Sequence, residues 1–253
     1  MKKITIITPM HNSSKHILEC IESVLNQTYQ NTEIIVVDDA STDNSLELVK
    51  SVKDNRIKII ELKENVGAGV ARNKGIEAST GEYICFLDSD DYWVMDKLER
   101  QVNFMEKNNY TFSYTQFCYL KNGRKRVAKL PKFLNYKQAL KNHAILTSTV
   151  MLNMEHLKKE DIYMPNIKRG QDSATWWKIL KSGVTAYCLK DELTIYRVGE
   201  KSLSSNKFKN MKRTWALFKR ENIFILKRIF YFFCYACNAS KRRFGKQWKP
   251  IIK

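Results

Sequence analysis

Phe86-Leu87-Asp88-Ser89-Asp90-Asp91 is the most distinctive segment of this chain of 253 residues. An apolar run at 83–87 stops there at three carboxylates within four positions, which predicts a buried strand that ends in an acidic loop. Clustered carboxylates repel one another, and a shared cation relieves that repulsion. Because the charged groups are oxygen ligands, the loop indicates a hard divalent ion, Mg²⁺ or Mn²⁺. The alternatives are a solvated turn, or a helix N-cap made by Asp90 or Asp91.

Strands and helices alternate over the first hundred residues. Apolar, β-rich runs lie at 4–9, 33–37, 57–62 and 83–87. Between them, residues 17–25 and 67–76 have apolar side chains at helical spacing, and so do Leu46 and Val49. This alternation predicts an α/β fold with a mostly parallel sheet flanked by helices.

Polar residues recur where these strands end. Thr8 lies at the end of the first run, Asp38 and Asp39 follow the second, and Asp88 and Asp90 follow the fourth. In open α/β sheets, ligands bind in the crevice beyond the carboxyl ends of the strands. Each residue alone is explained by a turn or a cap, but their recurrence predicts one shared ligand site.

The segment Gly67-Ala68-Gly69-Val70-Ala71-Arg72 can be compared with a dinucleotide-binding fingerprint. It follows the third strand rather than the first, and Arg72 stands where the fingerprint needs a small residue. A Rossmann dehydrogenase is therefore disfavoured. Arg72 is instead predicted to reach the base or the phosphates of a nucleotide.

Several blocks together resemble family 2 glycosyltransferases with the GT-A fold. The resemblance covers roughly the first hundred residues, with the blocks in the family's order. They are Thr8-Pro9-Met10-His11-Asn12, Ser23-Val24-Leu25-Asn26-Gln27-Thr28-Tyr29, Glu33-Ile34-Ile35-Val36-Val37-Asp38-Asp39-Ala40-Ser41-Thr42-Asp43, Asn65-Val66-Gly67, Ala71-Arg72-Asn73-Lys74-Gly75-Ile76 and the acidic segment itself. Met10 and His11 depart from the family, which more often has a small apolar residue and Tyr there.

The resemblance implies a nucleotide-sugar site, with a UDP-sugar as donor. Thr8 and Asp39 would hold the nucleobase, with Asp39 accepting the uracil imide proton, and Arg72 would support that end of the nucleotide. Asp88 would lie near the ribose, and Asp90 would ligate Mn²⁺ or Mg²⁺ on the donor diphosphate. The predicted nucleotide-sugar set is Thr8, Pro9, Asp39, Arg72, Asp88 and Ser89.

The second half is less regular, with strands predicted at 112–120 and 148–152 and a helix at 136–142. The family places a Glu-Asp pair where this chain has Gln171-Asp172, and its Asp serves as the general base. The resemblance therefore implies that Asp172 takes the proton of the acceptor hydroxyl, although Gln171 leaves it without a charged neighbour. The alternative role for Asp172 is the N-cap of the following helix. Lys201 is a further candidate for a diphosphate contact.

Composition narrows the protein class. A hydrophobic content of 43% excludes a disordered chain. The six cysteines are scattered, so neither a disulfide framework nor a zinc site is expected. The N-terminus runs into a strand with no signal-peptide pattern, which favours a cytoplasmic protein.

Positive charge is concentrated in the last fifth of the chain. From Lys201 onward, fifteen basic residues oppose only Glu221, which gives +14 of the formal charge of +18. Apolar aromatic runs there are interrupted by Lys227 and Arg228, so no segment reaches the roughly 20 apolar residues of a spanning helix. This pattern predicts an interfacial amphipathic helix on an anionic membrane. The alternative is a helix packed on the domain with a solvated basic face.

The predicted organisation has three parts: a nucleotide-sugar-binding half at 1–100, an acceptor-binding half at 101–205, and a basic helical tail at 206–253. The predicted activity is inverting, metal-assisted transfer from a UDP-sugar to a glycan or polyprenyl-diphosphate-linked saccharide, in surface-polysaccharide synthesis. The enzyme is expected on the inner face of the cell membrane, with no nucleic acid as partner. The rivals are a nucleotidyltransferase, and a nucleic-acid-binding module that uses the basic tail.

Overall fold

The predicted alternation of strands and helices is present in the computed structural model, which describes residues 1–198, 207–243 and 248–250. The strands are β1 (Ile4–Met10), β2 (Thr32–Asp38), β3 (Ile57–Glu61), β4 (Tyr83–Phe86), β5 (Tyr92–Trp93), β6 (Phe112–Lys121), β7 (Arg124–Ala128), β8 (Phe133–Leu134), β9 (Met151–Asn153), β10 (Ala186–Arg197) and β11 (Lys249–Pro250). The helices are α1 (Ile17–Leu25), α2 (Ser45–Ser51), α3 (Ala68–Ala78), α4 (Lys97–Asn108), α5 (Tyr136–Lys141), α6 (Lys159–Ile162), α7 (Gln171–Lys181), α8 (Lys207–Arg220) and α9 (Ile225–Arg243).

The N-terminal half of the central sheet is parallel. β1 pairs with β2 on one side and with β4 on the other, and β3 lies beyond β2. β1, β2 and β4 are buried along their whole length, as expected for strands covered by helices on both faces. Because these strands run the same way, their carboxyl ends meet at one edge of the sheet, where Met10 pairs with Asp38.

The C-terminal half adds antiparallel strands to this sheet. β9 lies between β4 and β6 and is antiparallel to both. The long strand β10 runs parallel to β6 and also pairs with β5, the short strand just after the acidic loop. The acidic loop is therefore fixed between strands from both halves of the chain.

The segment at 148–152 differs from the predicted strand. Thr147–Thr149 forms a 3₁₀ turn, and strand β9 begins only at Met151. The reason is tertiary, because the Ser148 hydroxyl donates to the carboxylate of Asp91 and its carbonyl accepts from the indole of Trp93. These bonds hold Ser148 beneath the acidic loop instead of in the sheet.

Helix α7 is held against the sheet by Trp176. The indole is buried, with its ring centroid 5.8 Å from that of Phe86 and 5.5 Å from that of Phe112. Aromatic pairs at such separations stabilise packing beyond the area they bury. The first turn of α7 is therefore placed at the edge where the parallel strands end.

The two tail helices differ in how they pack. Leu217 and Phe218 of α8 are buried in the main core, and the Phe218 ring stacks on Trp177 of α7 at 5.6 Å. Helix α9 instead exposes large apolar side chains along one face. In the part of the chain that the structure describes, no helix combines the length and apolarity needed to cross a bilayer.

Glu33 is a buried carboxylate near the start of β2, at the opposite end of this strand from Asp38. Its side chain is 3% exposed and accepts bonds from the Thr5 hydroxyl, the Thr80 amide and hydroxyl, and the ammonium of Lys58. Burial alone would raise the pKa of Glu33, but these hydrogen bonds outweigh it and lower the pKa to about 2.

The lowered pKa of Glu33 predicts acid sensitivity. The folded pKa is below the unfolded one, so its contribution, about 3 kcal/mol, is present above pH ~4.5 and is lost as the pH falls towards ~2. Glu33→Gln should therefore lower the free energy of unfolding by about 2–3 kcal/mol at pH 7 and flatten its fall in acid. Urea unfolding between pH 7 and pH 3 measures both effects.

Glu61→Gln on the neighbouring strand is the control for Glu33. Glu61 is 49% exposed and pairs only with Lys50 at the surface, so its loss should change stability by less than about 0.5 kcal/mol. Equal effects of the two substitutions would contradict the assigned role of Glu33.

Candidate active site

A cleft of about 1620 Å³ opens at the edge where the parallel strands end. Its volume exceeds the usual range of about 300–1000 Å³ for one small-molecule site, so it has room for two substrates side by side. Seven of the predicted site residues line it: Pro9, Asp39, Arg72, Asp88, Ser89, Asp90 and Asp172. Thr8 does not line it, because this residue is buried within β1.

The three carboxylates of the acidic loop have different partners. Asp88 forms an ion pair with the guanidinium of Arg72. Asp91 is buried and accepts bonds from the Ser148 hydroxyl at 2.6 Å and from the Arg197 amide at 3.2 Å. Asp90 is exposed to the cleft and, among the described residues, has no hydrogen bond or ion pair to another side chain. It is therefore the member of the three whose carboxylate is available to a ligand.

Desolvation and mutual repulsion raise the pKa values of Asp90 and Asp91. Although Asp90 faces the cleft, the surrounding walls withdraw solvent from it, and this desolvation together with the charge of Asp88 raises its pKa to about 6. Desolvation is also the main cause that raises the pKa of Asp91 well above its ordinary value, with Asp88 and Asp90 adding to it. The loop thus carries more negative charge than its surroundings compensate.

A divalent cation fits this site. The excess negative charge at Asp90 is of the kind that a bound cation relieves, and the available ligands are carboxylate oxygens, which suit Mg²⁺ or Mn²⁺. No group of three His, Cys, Asp or Glu side chains in the described ranges converges to hold a metal alone. An ion at Asp90 would therefore share its coordination with water and substrate, as Mg²⁺ commonly does with phosphates.

Asp39 organises the loop before α3. Its two carboxylate oxygens accept the backbone N–H groups of Val66 at 2.7 Å and Gly67 at 2.9 Å. Each oxygen keeps a further lone pair, so these bonds leave acceptor capacity for a ligand. The carbonyl of Asp39 in turn bonds to the ring of His11 at 2.8 Å, which places His11 beside the same wall.

Gly69 lies where helix α3 contacts helix α7. This close contact explains the glycine there, so no bound dinucleotide is needed to account for it. A Cβ on Gly69 would lie 2.9 Å from the side chain of Gln171, too close for any larger residue without a shift. The N-termini of α3 and α7 are thus neighbours. Arg72, one turn into α3, is buried and reaches both Asp88 and the sulfur of Met164.

Asp172 lies in the first turn of α7 and lines the cleft. The N-cap of α7 is Gly170, at φ 81°, so the alternative that made Asp172 the cap is wrong. Among the described residues, its carboxylate accepts one hydrogen bond, from the next backbone amide, that of Ser173, at 2.7 Å. The N-cap alternative for Asp90 and Asp91 is also wrong, because the acidic loop leads into β5 rather than into a helix.

Arg197 is a cleft residue for which no role was predicted from the sequence. It lies at the end of β10, its amide bonds to Asp91, its guanidinium pairs with Glu19, and it lies 4.7 Å from the centre of the Tyr92 ring. Its charge contributes to lowering the pKa of Asp90 against the effect of burial. No local sequence pattern could have indicated the contact between Arg197 and Asp91, because the two residues are more than a hundred positions apart. Lys201, also a candidate, lies outside the described residues.

Solved structures with a similar fold are glycosyltransferases. The Staphylococcus aureus TarS 1-349 complex with UDP-GlcNAc aligns over 94% of this chain and 73% of that chain, with a TM-score of 0.71 and 22% identity. The mannosyltransferase PcManGT from Pyrobaculum calidifontis, in complex with GDP-Man and Mn²⁺, has a TM-score of 0.71 at 18% identity, over 94% and 73% of the chains. The mixed sheet and its flanking helices therefore form the GT-A fold.

Sequence comparison identifies the family. The model of glycosyl transferase family 2 matches residues 5–159. The putative teichuronic acid biosynthesis glycosyltransferase TuaG of Bacillus subtilis (strain 168) is 41% identical over 95% of this chain and 97% of its own length. The Escherichia coli UDP-Glc:alpha-D-GlcNAc-diphosphoundecaprenol beta-1,3-glucosyltransferase WfaP is 38% identical over 94% of both chains. The chain belongs to glycosyl transferase family 2, which confirms the resemblance predicted from the sequence and disfavours both rival functions.

Proposed function

We propose that this enzyme transfers a sugar from a UDP-sugar to a polyprenyl-diphosphate-linked saccharide during surface-polysaccharide synthesis, with inversion at the anomeric carbon. The observation that carries the proposal is the large cleft that Asp90 and Asp172 both line. The name of WfaP, which specifies a UDP-glucose donor and a diphosphoundecaprenol acceptor, supports the substrate classes. The name of TuaG, which specifies teichuronic acid biosynthesis, supports the assignment to surface-polysaccharide synthesis.

The donor would occupy the wall built from β1, β2 and the acidic loop. Asp39 is proposed to accept the imide N–H of uracil with the lone pairs that Val66 and Gly67 leave free. Arg72 and Asp88, paired with each other, would support the base and the ribose. Pro9 and Ser89 line the same wall, whereas Thr8 would act from within β1.

Asp90 is proposed to hold Mn²⁺ or Mg²⁺ against the donor diphosphate. Such an ion supplies charge neutralisation for the departing UDP. The available carboxylate of Asp90 and its raised pKa support this role, and so does the Mn²⁺ complex of the similar fold in PcManGT. Asp88 and Asp91 would shape the loop through their own partners rather than bind the ion.

Asp172 is proposed as the general base. An acceptor hydroxyl is a poor nucleophile until a base takes its proton in the transition state, and Asp172 lines the cleft with one carboxylate oxygen bonded only to a local amide. With the base on one face of the donor sugar and UDP leaving from the other, the displacement is in line and inverts the anomeric configuration. Gln171 would keep Asp172 in place by its contact with Gly69.

A donor and acceptor assay tests the proposed activity. Purified enzyme with Mn²⁺ should transfer glucose or another hexose from its UDP-sugar, but not from the CDP-sugar, to N-acetylglucosaminyl diphosphate on a short lipid. Cytosine presents a lone pair where uracil presents its imide N–H, so Asp39 would oppose it. Proton NMR of the product from an α-linked donor should show a β linkage. Retention, or equal use of the CDP-sugar, would contradict the proposal.

The exposed face of α9 is proposed to hold the enzyme on an anionic membrane. Six large apolar side chains at 224–233 are 44–68% exposed: Phe224, Ile225, Leu226, Ile229, Phe230 and Phe233. Lys227 lies among them and is also exposed. An apolar face with basic residues at its side is suited to the headgroup region, where each Lys or Arg adds about 1 kcal/mol on anionic lipid. The enzyme would then meet its lipid-linked acceptor at the membrane surface.

Liposome co-sedimentation tests the role of α9. The double variant Leu226→Ser, Phe230→Ser should reduce partition onto anionic vesicles by about 30-fold or more, because each side chain loses roughly 1–2 kcal/mol of apolar burial. Added salt should weaken binding by the wild type further. Phe133→Ser, at an exposed aromatic residue on β8, is the control and should not alter binding. Partition that neither salt nor the double variant changes would contradict the membrane role.

A further inference from the structure

Arg213 brings the C-terminal tail into the active-site cleft. It lies on α8, whose buried Leu217 and Phe218 fix the helix against the core, and its side chain lines the cleft together with Asp172. A Cβ on Gly170 would lie 3.3 Å from Cγ and Cδ of Arg213, so the arginine stem packs directly on the N-cap of α7. The tail therefore contributes a cation close to the proposed base.

The charge of Arg213 has no counter-ion in the part of the chain that the structure describes. Its Nε is buried and has no hydrogen-bond partner, and no carboxylate lies within ion-pair distance. Arg72 and Arg197, which also line the cleft, likewise have a buried Nε without a hydrogen-bond partner, but each has a counter-ion, because Arg72 pairs with Asp88 and Arg197 pairs with Glu19. Leaving a buried donor without an acceptor is costly unless a ligand supplies one.

The surroundings of Arg213 favour an anionic ligand. The N-terminus of α7 starts at its side, and helix N-termini carry partial positive charge. Lys168, exposed two positions before Gly170, also lines the cleft without an ion pair among the described residues. A guanidinium, an ammonium and a helix N-terminus together form the usual surroundings of a phosphate group.

We propose that Arg213 binds the diphosphate of the acceptor and so selects diphosphate-linked saccharides over neutral ones. This inference rests on the proposed function. In an acceptor whose first sugar carries both the diphosphate and the reacting hydroxyl, these two groups are attached at different positions of one sugar ring. Asp172 would meet the hydroxyl, and Arg213, beside Gly170 two positions before Asp172, would meet the diphosphate. Asp172 and Arg213 would thus contact two different groups of the same acceptor sugar.

The diphosphate of the donor is the other anionic group that Arg213 could bind. It is assigned to the Asp90 end of the cleft, where the acidic loop needs a cation, whereas Arg213 belongs to the α7 end. A single arginine bound to the donor would change UDP affinity. An arginine bound to the acceptor would leave UDP affinity unchanged, and this difference separates the two.

Steady-state kinetics of Arg213→Gln with two synthetic acceptors tests the assignment. One acceptor carries N-acetylglucosamine on a lipid diphosphate, and the other carries the same sugar on an uncharged alkyl chain of equal length. The variant should raise the KM for the diphosphate acceptor about 10- to 100-fold, the loss of a charge-assisted bond, and leave the KM for the neutral acceptor and the Kd for UDP within twofold. Arg213→Lys should recover part of the loss.

Lys212→Gln is the matched control, since it removes the same charge from the adjacent, exposed position of α8. It should change neither KM. A raised Kd for UDP in Arg213→Gln would reassign the residue to the donor and overturn the proposal. Equal loss with both acceptors, together with a lowered melting temperature, would make Arg213 merely structural. A wild-type enzyme that uses its UDP-sugar but prefers the neutral acceptor would overturn the inference while leaving the donor chemistry intact.

Discussion

Asp172→Asn is expected to reduce turnover by about 10²–10⁴-fold, the usual contribution of a general base, with nearly unchanged UDP affinity and melting temperature. Asparagine keeps the size of the side chain and an oxygen that can accept the Ser173 amide, but it cannot take a proton. Because Gly170 is the N-cap of α7, the substitution should cost little stability. Turnover by a coupled UDP-release assay, calorimetry with UDP, and thermal melting measure the three quantities.

Asp161→Asn is the control for this experiment. Asp161 lies in the first turn of α6, also accepts a nearby backbone amide, and does not line the cleft. It should leave turnover unchanged. Transfer near the wild-type rate by Asp172→Asn would remove Asp172 as the base and would require another group to take the proton.

Asp90→Ala is expected to abolish the Mn²⁺-dependent part of UDP binding and to lower transfer by about 10³-fold or more, since a metal supplies several kcal/mol of transition-state stabilisation. The folded protein should be as stable as the wild type or more stable. The folded pKa of Asp90 is raised to about 6 by desolvation and by Asp88, so its ionised form destabilises the fold near neutral pH. Calorimetry with UDP, with and without Mn²⁺, and thermal melting check both parts.

Asp96→Ala, at an exposed carboxylate that pairs with Arg100 outside the cleft, is the matched control. It should bind UDP as the wild type does in the presence of Mn²⁺. If Asp90→Ala also keeps full Mn²⁺-dependent affinity, the ion is held elsewhere. A lower melting temperature for Asp90→Ala would instead indicate a structural role in the acidic loop.

The parallel half of the fold could be predicted because its signals are local. The buried run at 33–37 and the helical spacing of 17–25 are set by near neighbours in sequence. The helix is confirmed with the predicted bounds, and the strand extends one residue further at each end. The acidic segment and Asp172 stood out because their residue types and order resembled a known family. The family and the fold are confirmed, whereas the role of each site residue stays a prediction.

The unpredicted features depend on contacts between distant parts of the chain. Ser148 leaves its predicted strand because Asp91, fifty-seven positions away, takes its hydroxyl. Arg213 reaches the cleft only because α8 packs beside α7, and the sequence placed it in a separate basic tail. Asp39 could be assigned to a ligand from the resemblance, but its bonds to Val66 and Gly67 required the folded loop.

Strand β10 limits how enzymes of this type can be recombined. It pairs with β5 through Thr194 and Trp93, and the amide of its last residue, Arg197, bonds to the carboxylate of Asp91. A chimaera that exchanges only residues 1–100 with a relative would place a foreign strand end against this acidic loop. If residues 1–100 bind the donor as proposed, the unit to exchange for a new donor preference consists of two separated pieces, the N-terminal hundred residues and the end of β10. Libraries built with a single crossover after α4 should yield many folded proteins whose acidic loop is misaligned.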